Sequence, residues 1–261
     1  MLYERTLYSA PYQYLINRNI QEYDISKANI SILLDMGYIK QEQYDYFYNL
    51  PKQQREVAIG MMMRKDQGMI KILNSGFIES RKKFFELNNI NDMNVLYIDK
   101  DSITLIDTPI SNTQVSDHVS FVPKSRYSSL YRLGQVHFLY FSDGQAESYR
   151  FKYVNQQMLE QFHSNYFIDF LLYIASEAQT NSIINCINAV RNFYNQYVSK
   201  SLDVRYYREF NQICKYKILG SNYYLEIDTP SAIEIVDISY NARIIQDIYR
   251  SLANEYFKSV K

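Results

Sequence analysis

Two aspartates one residue apart stand between two apolar, β-branched runs, in the stretch Val95-Leu96-Tyr97-Ile98-Asp99-Lys100-Asp101-Ser102-Ile103-Thr104-Leu105-Ile106. Such runs on either side of a short charged break read as strand, tight turn, strand. In an extended chain, side chains two apart point the same way, so Asp99 and Asp101 are expected to share one face at a hairpin tip. Carboxylates held that close repel one another unless a cation or basic group sits between them. Oxygen ligands suit Mg²⁺ or Mn²⁺, and Mg²⁺ takes one or two carboxylates and leaves room for substrate phosphates. The pattern therefore points to a divalent-metal site acting on a nucleotide. Asp also favours turns for purely local reasons, so the reading needs support from elsewhere in the chain.

That support depends on the elements that position the pair. Upstream, Tyr23-Asp24-Ile25 reads as the end of a strand, and the apolar residues Ala28, Ile30, Ile32, Leu33 and Leu34 predict a short helix stopped by Gly37. Lys40 to Leu50 is expected to be helical, and Pro51 restarts the chain. Residues 52–75 carry the strongest helical period, with Ile59, Met62, Met69 and Leu73 on one face and Asp66 as the exception. Arg64, Gln67, Lys71 and Ser75 fall on the other face, which is also the ordinary pattern of a solvated side. Arg81-Lys82-Lys83 and an Asn-rich turn lead into the hairpin.

Residues 107–125 read as a loop with short strands, and 126–154 alternate as strands, with Ser142-Asp143-Gly144-Gln145 as a hairpin turn. From about Asn155 the period becomes helical. A strand pair near Lys215–Ile227 precedes a last helix expected from Ser231 to Tyr256. The first twenty residues, rich in Tyr, show no clear period and read as an extended lead-in. These signals predict an α+β fold, with a composition shift near 150 as the boundary between residues 1–150 and a mainly helical region, 151–261.

Composition narrows the function classes. The 28 basic and 28 acidic side chains cancel, so any anion-binding surface must be a local patch. Cys186 and Cys214 form neither a metal pattern nor a disulfide framework, which suits a reducing, cytoplasmic setting. The amino terminus opens with a charge pair and no apolar core follows, so no signal peptide is expected. No apolar run is long enough for a membrane span. His118, His137 and His163 do not cluster, and they suggest no shared chemistry.

Asp24, a basic helix and the Asp99/Asp101 hairpin follow one another in an order that resembles the palm and fingers of family B DNA polymerases. The first motif of that family is an Asp followed by a run ending in Tyr-Pro-Ser-Ile. Here Asp24-Ile25-Ser26-Lys27-Ala28-Asn29-Ile30-Ser31-Ile32 matches at Asp24, Ser31 and Ile32. The second is a helix carrying Gln, Lys and Asn-Ser, matched by Gln67, Lys71, Asn74 and Ser75, with Lys71 one residue nearer to Asn74 than usual. The third, Tyr-Gly-Asp-Thr-Asp-Ser, is matched by Tyr97-Ile98-Asp99-Lys100-Asp101-Ser102. The resemblance covers about residues 22–127.

The resemblance implies a palm-like antiparallel sheet with helices and a thumb-like helical region after it. It implies template-directed nucleotidyl transfer on a primed nucleic acid with nucleoside triphosphates, with Asp24 and Asp101 holding the metal ions and Asp99 as the supporting carboxylate. Lys71 and Arg64 would meet the triphosphate, and Asn74 would lie near the nascent base pair. Lys124-Ser125-Arg126-Tyr127 resembles the later basic-Tyr motif, which contacts the primer-template duplex. Asn29 stands where the family has a Tyr that excludes ribonucleotides, Ile30 replaces Pro, and Gly76-Phe77-Ile78 replaces the end of the second motif. The residues ahead of Asp24 are too few for a proofreading exonuclease, so the expectation is a minimal, split or degenerate enzyme, in the split case working with other polymerase subunits.

Two rivals stand beside it. An Asp-x-Asp glycosyltransferase would use Asp99 and Asp101 on a sugar nucleotide but has no role for Asp24. A non-catalytic binding or structural protein would use its 27 tyrosines at interfaces, where the ring buries and the hydroxyl stays wet.

Overall fold

Alternating residues become strands and apolar-faced segments become helices, and the computed structural model is α+β. Residues 1–134, 136–142, 147–163, 167–180, 182–210, 212, 215–225 and 230–260 are described. The strands are Leu7–Ser9 (β1), Tyr14–Leu15 (β2), Ile20–Ile25 (β3), Val95–Asp99 (β4), Ser102–Ile106 (β5) and Phe121–Tyr127 (β6). They continue with Ser129–Leu133 (β7), Val136–Ser142 (β8), Glu147–Lys152 (β9), Tyr216–Lys217 (β10) and Tyr224–Leu225 (β11). The helices are Ala28–Asp35 (α1), Gln41–Asn49 (α2), Lys52–Lys65 (α3), Gln67–Asn88 (α4), Gln156–His163 (α5), Asp169–Thr180 (α6), Ile183–Val198 (α7) and Ser239–Ser259 (α8). No helix among the described residues is long and apolar enough to cross a membrane.

The chain forms two units, Met1–Pro11 with Asn19–Arg126, and Tyr12–Arg18 with Tyr127–Lys261. The composition shift near 150 marks the passage from β9 to α5 and lies inside the second unit. The division falls between Arg126 and Tyr127 because Tyr131, Phe138 and Phe151 of β7–β9 share one core with Leu171 of α6, Val190 of α7 and Ile248 of α8.

In the first unit the sheet order is β1-β4-β5-β3-β6. β4 pairs antiparallel with β1 and β5, and β5 pairs antiparallel with β3. The register sets Tyr23 opposite Ile103 and Ile103 opposite Ile98, so these three share a face. That face packs on Leu33, Ile59, Leu73, Phe77 and Phe84 from α1, α3 and α4. Phe84 stacks on Phe121 of β6 with ring centroids 4.1 Å apart. Gly37, at φ +69°, ends α1 as its sequence suggests.

The single helix expected over 52–75 is two helices. Asp66 adopts extended backbone between α3 and α4, and its carboxylate accepts the Gly68 N–H at 2.8 Å. The Tyr38 hydroxyl donates to the same carboxylate. Asp66 was the misfit in the apolar stripe because it is an N-cap, a role Asp fills well. α4 then runs on through Arg81-Lys82-Lys83 to Asn88.

In the second unit β2, β7, β8 and β9 form a sheet in that order. The lead-in is thus split, with β1 in one sheet and β2 in the other. The turn read at 142–145 lies outside the described residues beyond Ser142, as do Cys214 and Ile227, while β10 and β11 supply the strand pair. The last helix starts later than Pro230–Ser231 suggests. Pro230–Ile235 is a 3₁₀ segment, and α8 begins at Ser239, whose N–H donates to the Asp237 carboxylate at 2.9 Å. Tyr131, Tyr140, Tyr197, Tyr207 and Tyr216 are fully buried, so part of the tyrosine content builds this core, while others such as Tyr46 and Tyr223 are exposed.

Gly76 lets α4 lie against α1. A Cβ there would meet Ile32 Cγ2 at 2.3 Å and Met36 Cγ at 3.1 Å. Ile32 is fully buried and, being β-branched, stiff at χ1. Ala in a helix gains up to about 1 kcal/mol over Gly, whereas overpacking costs about 1–3 kcal/mol. Gly76→Ala is therefore expected to lower unfolding free energy in urea by about 1 kcal/mol; a stabilised variant would show that the two helices separate more easily than their packing indicates.

Candidate functional site

β3 ends at the polar rim of the first sheet, and its last residues reach the Asp99–Ser102 hairpin. Asp24 pairs with Ser102, and Ser102 pairs with Asp99. Directly opposed residues share a face, so Asp24, Ser102 and Asp99 lie on the side away from Tyr23, Ile103 and Ile98. Glu22, Thr104 and Tyr97 continue that face one pair further in. Glu22 is buried, and the Ser102 hydroxyl donates to it at 3.4 Å.

Asp101 is a turn residue, not a strand residue. Lys100 has φ +50°, which breaks the strand alternation that would have placed Asp99 and Asp101 side by side. The Ile25 N–H donates to the Asp101 carbonyl at 3.1 Å, which draws the turn against the end of β3. Asp24 and Asp101, far apart in sequence, thereby line one cavity of about 280 Å³. Asp99 is exposed and is not part of its lining.

The opposite wall comes from α1 and α3. Lys27 and Asn29 line the cavity from the start of α1, and Lys52, Arg55 and Glu56 line it from the first turns of α3. Lys27 caps α1 in a left-handed conformation, and its ammonium lies over the Tyr48 ring. Lys52 pairs with Glu56 at 3.8 Å, and Arg55 Nη1 donates to the Leu50 carbonyl at 3.3 Å. The cavity therefore has Asp24 and Asp101 from the sheet and its hairpin, and Lys27, Lys52, Arg55 and one acid, Glu56, from the helices.

Three of the sequence-derived candidates, Asp24, Asp101 and Asn29, meet in this cavity. Arg64, Lys71 and Asn74 do not line it; all three are exposed along α3 and α4. The reason is the break at Asp66, which turns the supposed single polar stripe into faces of two separate helices. In β6 the Lys124 ammonium forms an ion pair with the Asp24 carboxylate. Arg126 donates from Nε to Asn19 Oδ1 at 2.9 Å, and Tyr127 is buried. Lys27, Lys52 and Arg55 were missed because their alignment depends on how α1 and α3 pack. Glu22 had a signal, since it stands two residues before Asp24 on the same strand face.

The donor set fits a divalent cation held by few protein ligands. No group of three or more His, Cys, Asp or Glu capable of holding a metal occurs among the described residues, but Mg²⁺ commonly needs only one or two carboxylates, with waters and phosphates completing its shell. Burial raises the pKa of Asp101 above its ordinary value, and the charge of Asp24 raises it further. Lys124 opposes this and Asp99 adds to it. A cation between Asp24 and Asp101 would relieve that repulsion.

A carboxyl whose pKa is raised by folding binds protons more tightly in the native state, so stability falls as pH rises from the unfolded value through the folded one. Asp101→Asn, measured without divalent metal, is expected to melt higher than the natural protein at pH 7. The difference should close on acidification below the ordinary Asp range. Equal melting temperatures at pH 7 would mean that neither burial nor the charge of Asp24 destabilises the ionised Asp101 carboxylate.

No curated protein matches the chain. The family model described as Bacteriophage PBS1 gene 130 protein matches residues 1–253, nearly the whole length, and the chain belongs to that family.

Proposed function

We propose that the first unit is the catalytic part of a template-directed nucleic-acid polymerase, minimal or split, that transfers nucleotides with Mg²⁺ or Mn²⁺. The observation that carries this reading is the shared cavity of Asp24 and Asp101, faced by Lys27, Lys52 and Arg55. Asp24 and Asp101 would hold the metal, which when bound supplies charge stabilisation to the attacking and leaving oxygens of phosphoryl transfer. Asp99, on the Asp24 face of the sheet, adds negative charge without lining the cavity. Lys52 and Arg55 take the place that Arg64 and Lys71 were expected to fill: they supply positive charge where a triphosphate would bring four negative oxygens. Asn29 stands at the same wall, where it would meet the sugar.

The place of Asp24 in the cavity favours this reading over an Asp-x-Asp glycosyltransferase, which gives it no task. Lys124, which pairs with Asp24 in the free protein, and Arg126 would contact the primer-template duplex. The partners are a primed template, nucleoside triphosphates and, for a split enzyme, other polymerase subunits. The setting is the reducing cytoplasm, consistent with the free, buried Cys186.

Primer extension with deoxy- and ribonucleotides and either metal tests the proposal. Asp24→Asn and Asp101→Asn are each expected to reduce extension to background, and retained extension in either would reject the metal assignment. Arg55→Ala should raise the nucleotide KM about tenfold, the size of one lost charge-assisted hydrogen bond. An unchanged KM would remove Arg55 from the triphosphate site.

A further inference from the structure

Arg81 is the largest fully buried side chain among the described residues, and nothing in the polymerase reading uses it. It sits in the middle of α4. Its Nε donates to the Tyr3 carbonyl at 2.9 Å, and its Nη1 donates to the Lys100 carbonyl. Its Nη2 has no hydrogen-bond partner among the described residues. Both partners are backbone oxygens, so the guanidinium charge is not cancelled by a bonded carboxylate. Burial, partly offset by the charge of Asp101, lowers its pKa to about 10, so it stays protonated at neutral pH.

The atoms it holds are informative. Lys100 is the residue at φ +50° on which the hairpin turns, a conformation that side-chain-bearing residues adopt reluctantly. Its N–H donates to the Thr6 carbonyl at 2.9 Å, and its own carbonyl accepts from Arg81. The central peptide groups between Asp99 and Asp101 are thus gripped from both sides, by the amino-terminal segment and by α4. Lys100 itself is exposed, so side-chain packing does not hold the turn. A buried cation that gives up ion pairing to bond two carbonyls is a costly way to fill a core, and the return is a fixed acidic turn.

We infer that Arg81 is a positioning residue that sets the direction of the Asp101 carboxylate by clamping the Lys100 peptide and tying it to the amino-terminal segment. The inference deepens the polymerase reading and rests on it only for the role of Asp101; the clamp is a property of the metal-free protein. Groups that orient metal-binding carboxylates change metal affinity by about 10–100-fold when removed.

Two measurements separate the clamp from the catalytic reading. Amide hydrogen exchange is followed first, without metal or nucleotide. Arg81→Met is expected to speed exchange of the Lys100 and Ile25 amides by about tenfold or more, with α6 and α7 unaffected, and Arg81→Lys should recover part of the protection. Unchanged turn amides in Arg81→Met would overturn the inference. If Arg81→Met does not fold, the Nε–H proton of the natural protein decides: slow exchange supports the clamp, and fast exchange overturns it. The second measurement is extension against Mg²⁺. Arg81→Met should raise the half-maximal Mg²⁺ about tenfold and leave the nucleotide KM at saturating Mg²⁺ within about twofold. A loss of rate with no change in the Mg²⁺ midpoint would signal general destabilisation and overturn a positioning role. Absence of extension by the natural protein would reject the polymerase reading and leave the exchange result to decide on Arg81.

Discussion

The pairing of Asp24 with Ser102 is one rung of a ladder that starts at Ile20 and Ile106, and the candidate site depends on its register. A slip of one residue between β3 and β5 would carry Asp24 to the face of Tyr23 and bury its charge among Ile98, Ile103 and Phe84. The apolar face prevents this, since the same slip would carry Tyr23 and Ile25 of β3 off the face that packs on the helices. The hydrophobic core therefore aligns the acids, although no acid belongs to it. The same ladder ends where the turn begins, so Asp101 arrives beside Asp24 without needing a long side chain to reach it.

The site is arranged against its own electrostatics. Asp24, Asp99 and Asp101 gather at one rim, and Asp101 pays part of the cost through burial and the charge of Asp24. Lys124 pairs with Asp24 from β6, and Arg81 supplies positive charge from below the turn. These two cations differ in kind. Lys124 is exposed on a flexible stem and can exchange its partner for water or a ligand at little cost. Arg81 is enclosed and bonded to two carbonyls, and it moves only if the segment near Tyr3 or the turn moves with it. One holds its partner at the surface, while the other is tied to two backbone oxygens in the interior.

The helix break at Asp66 has a comparable reach. Because α3 and α4 are separate, the amino-terminal turns of α3 can face the sheet and present Lys52 and Arg55, while α4 crosses α1 at Gly76 and carries Arg81 into the interior. One capping aspartate, held by Tyr38 and the Gly68 N–H, thus decides which cations meet the acids.

Much of this chain is legible in its sequence. The α+β class, the hairpin around Lys100–Asp101, the end of α1 at Gly37, the restart at Pro51 and the strands between 126 and 154 all follow from local patterns, because turn chemistry and apolar period act over a few residues. Asp24 and Asp101 stand out in the sequence as acids at a strand end and a hairpin turn, whereas Glu22, two residues before Asp24, was not singled out. What the sequence left open was decided over long range. The cations facing the acids are Lys27, Lys52 and Arg55 rather than Arg64 and Lys71, since that depends on how α1 and α3 pack and not on the period of either helix. The buried state of Arg81 was hidden within a basic triplet that reads as surface. The division at 126 escaped a composition test because β7–β9 join the helices through shared apolar contacts, and pairwise burial between distant segments leaves no local mark on the chain.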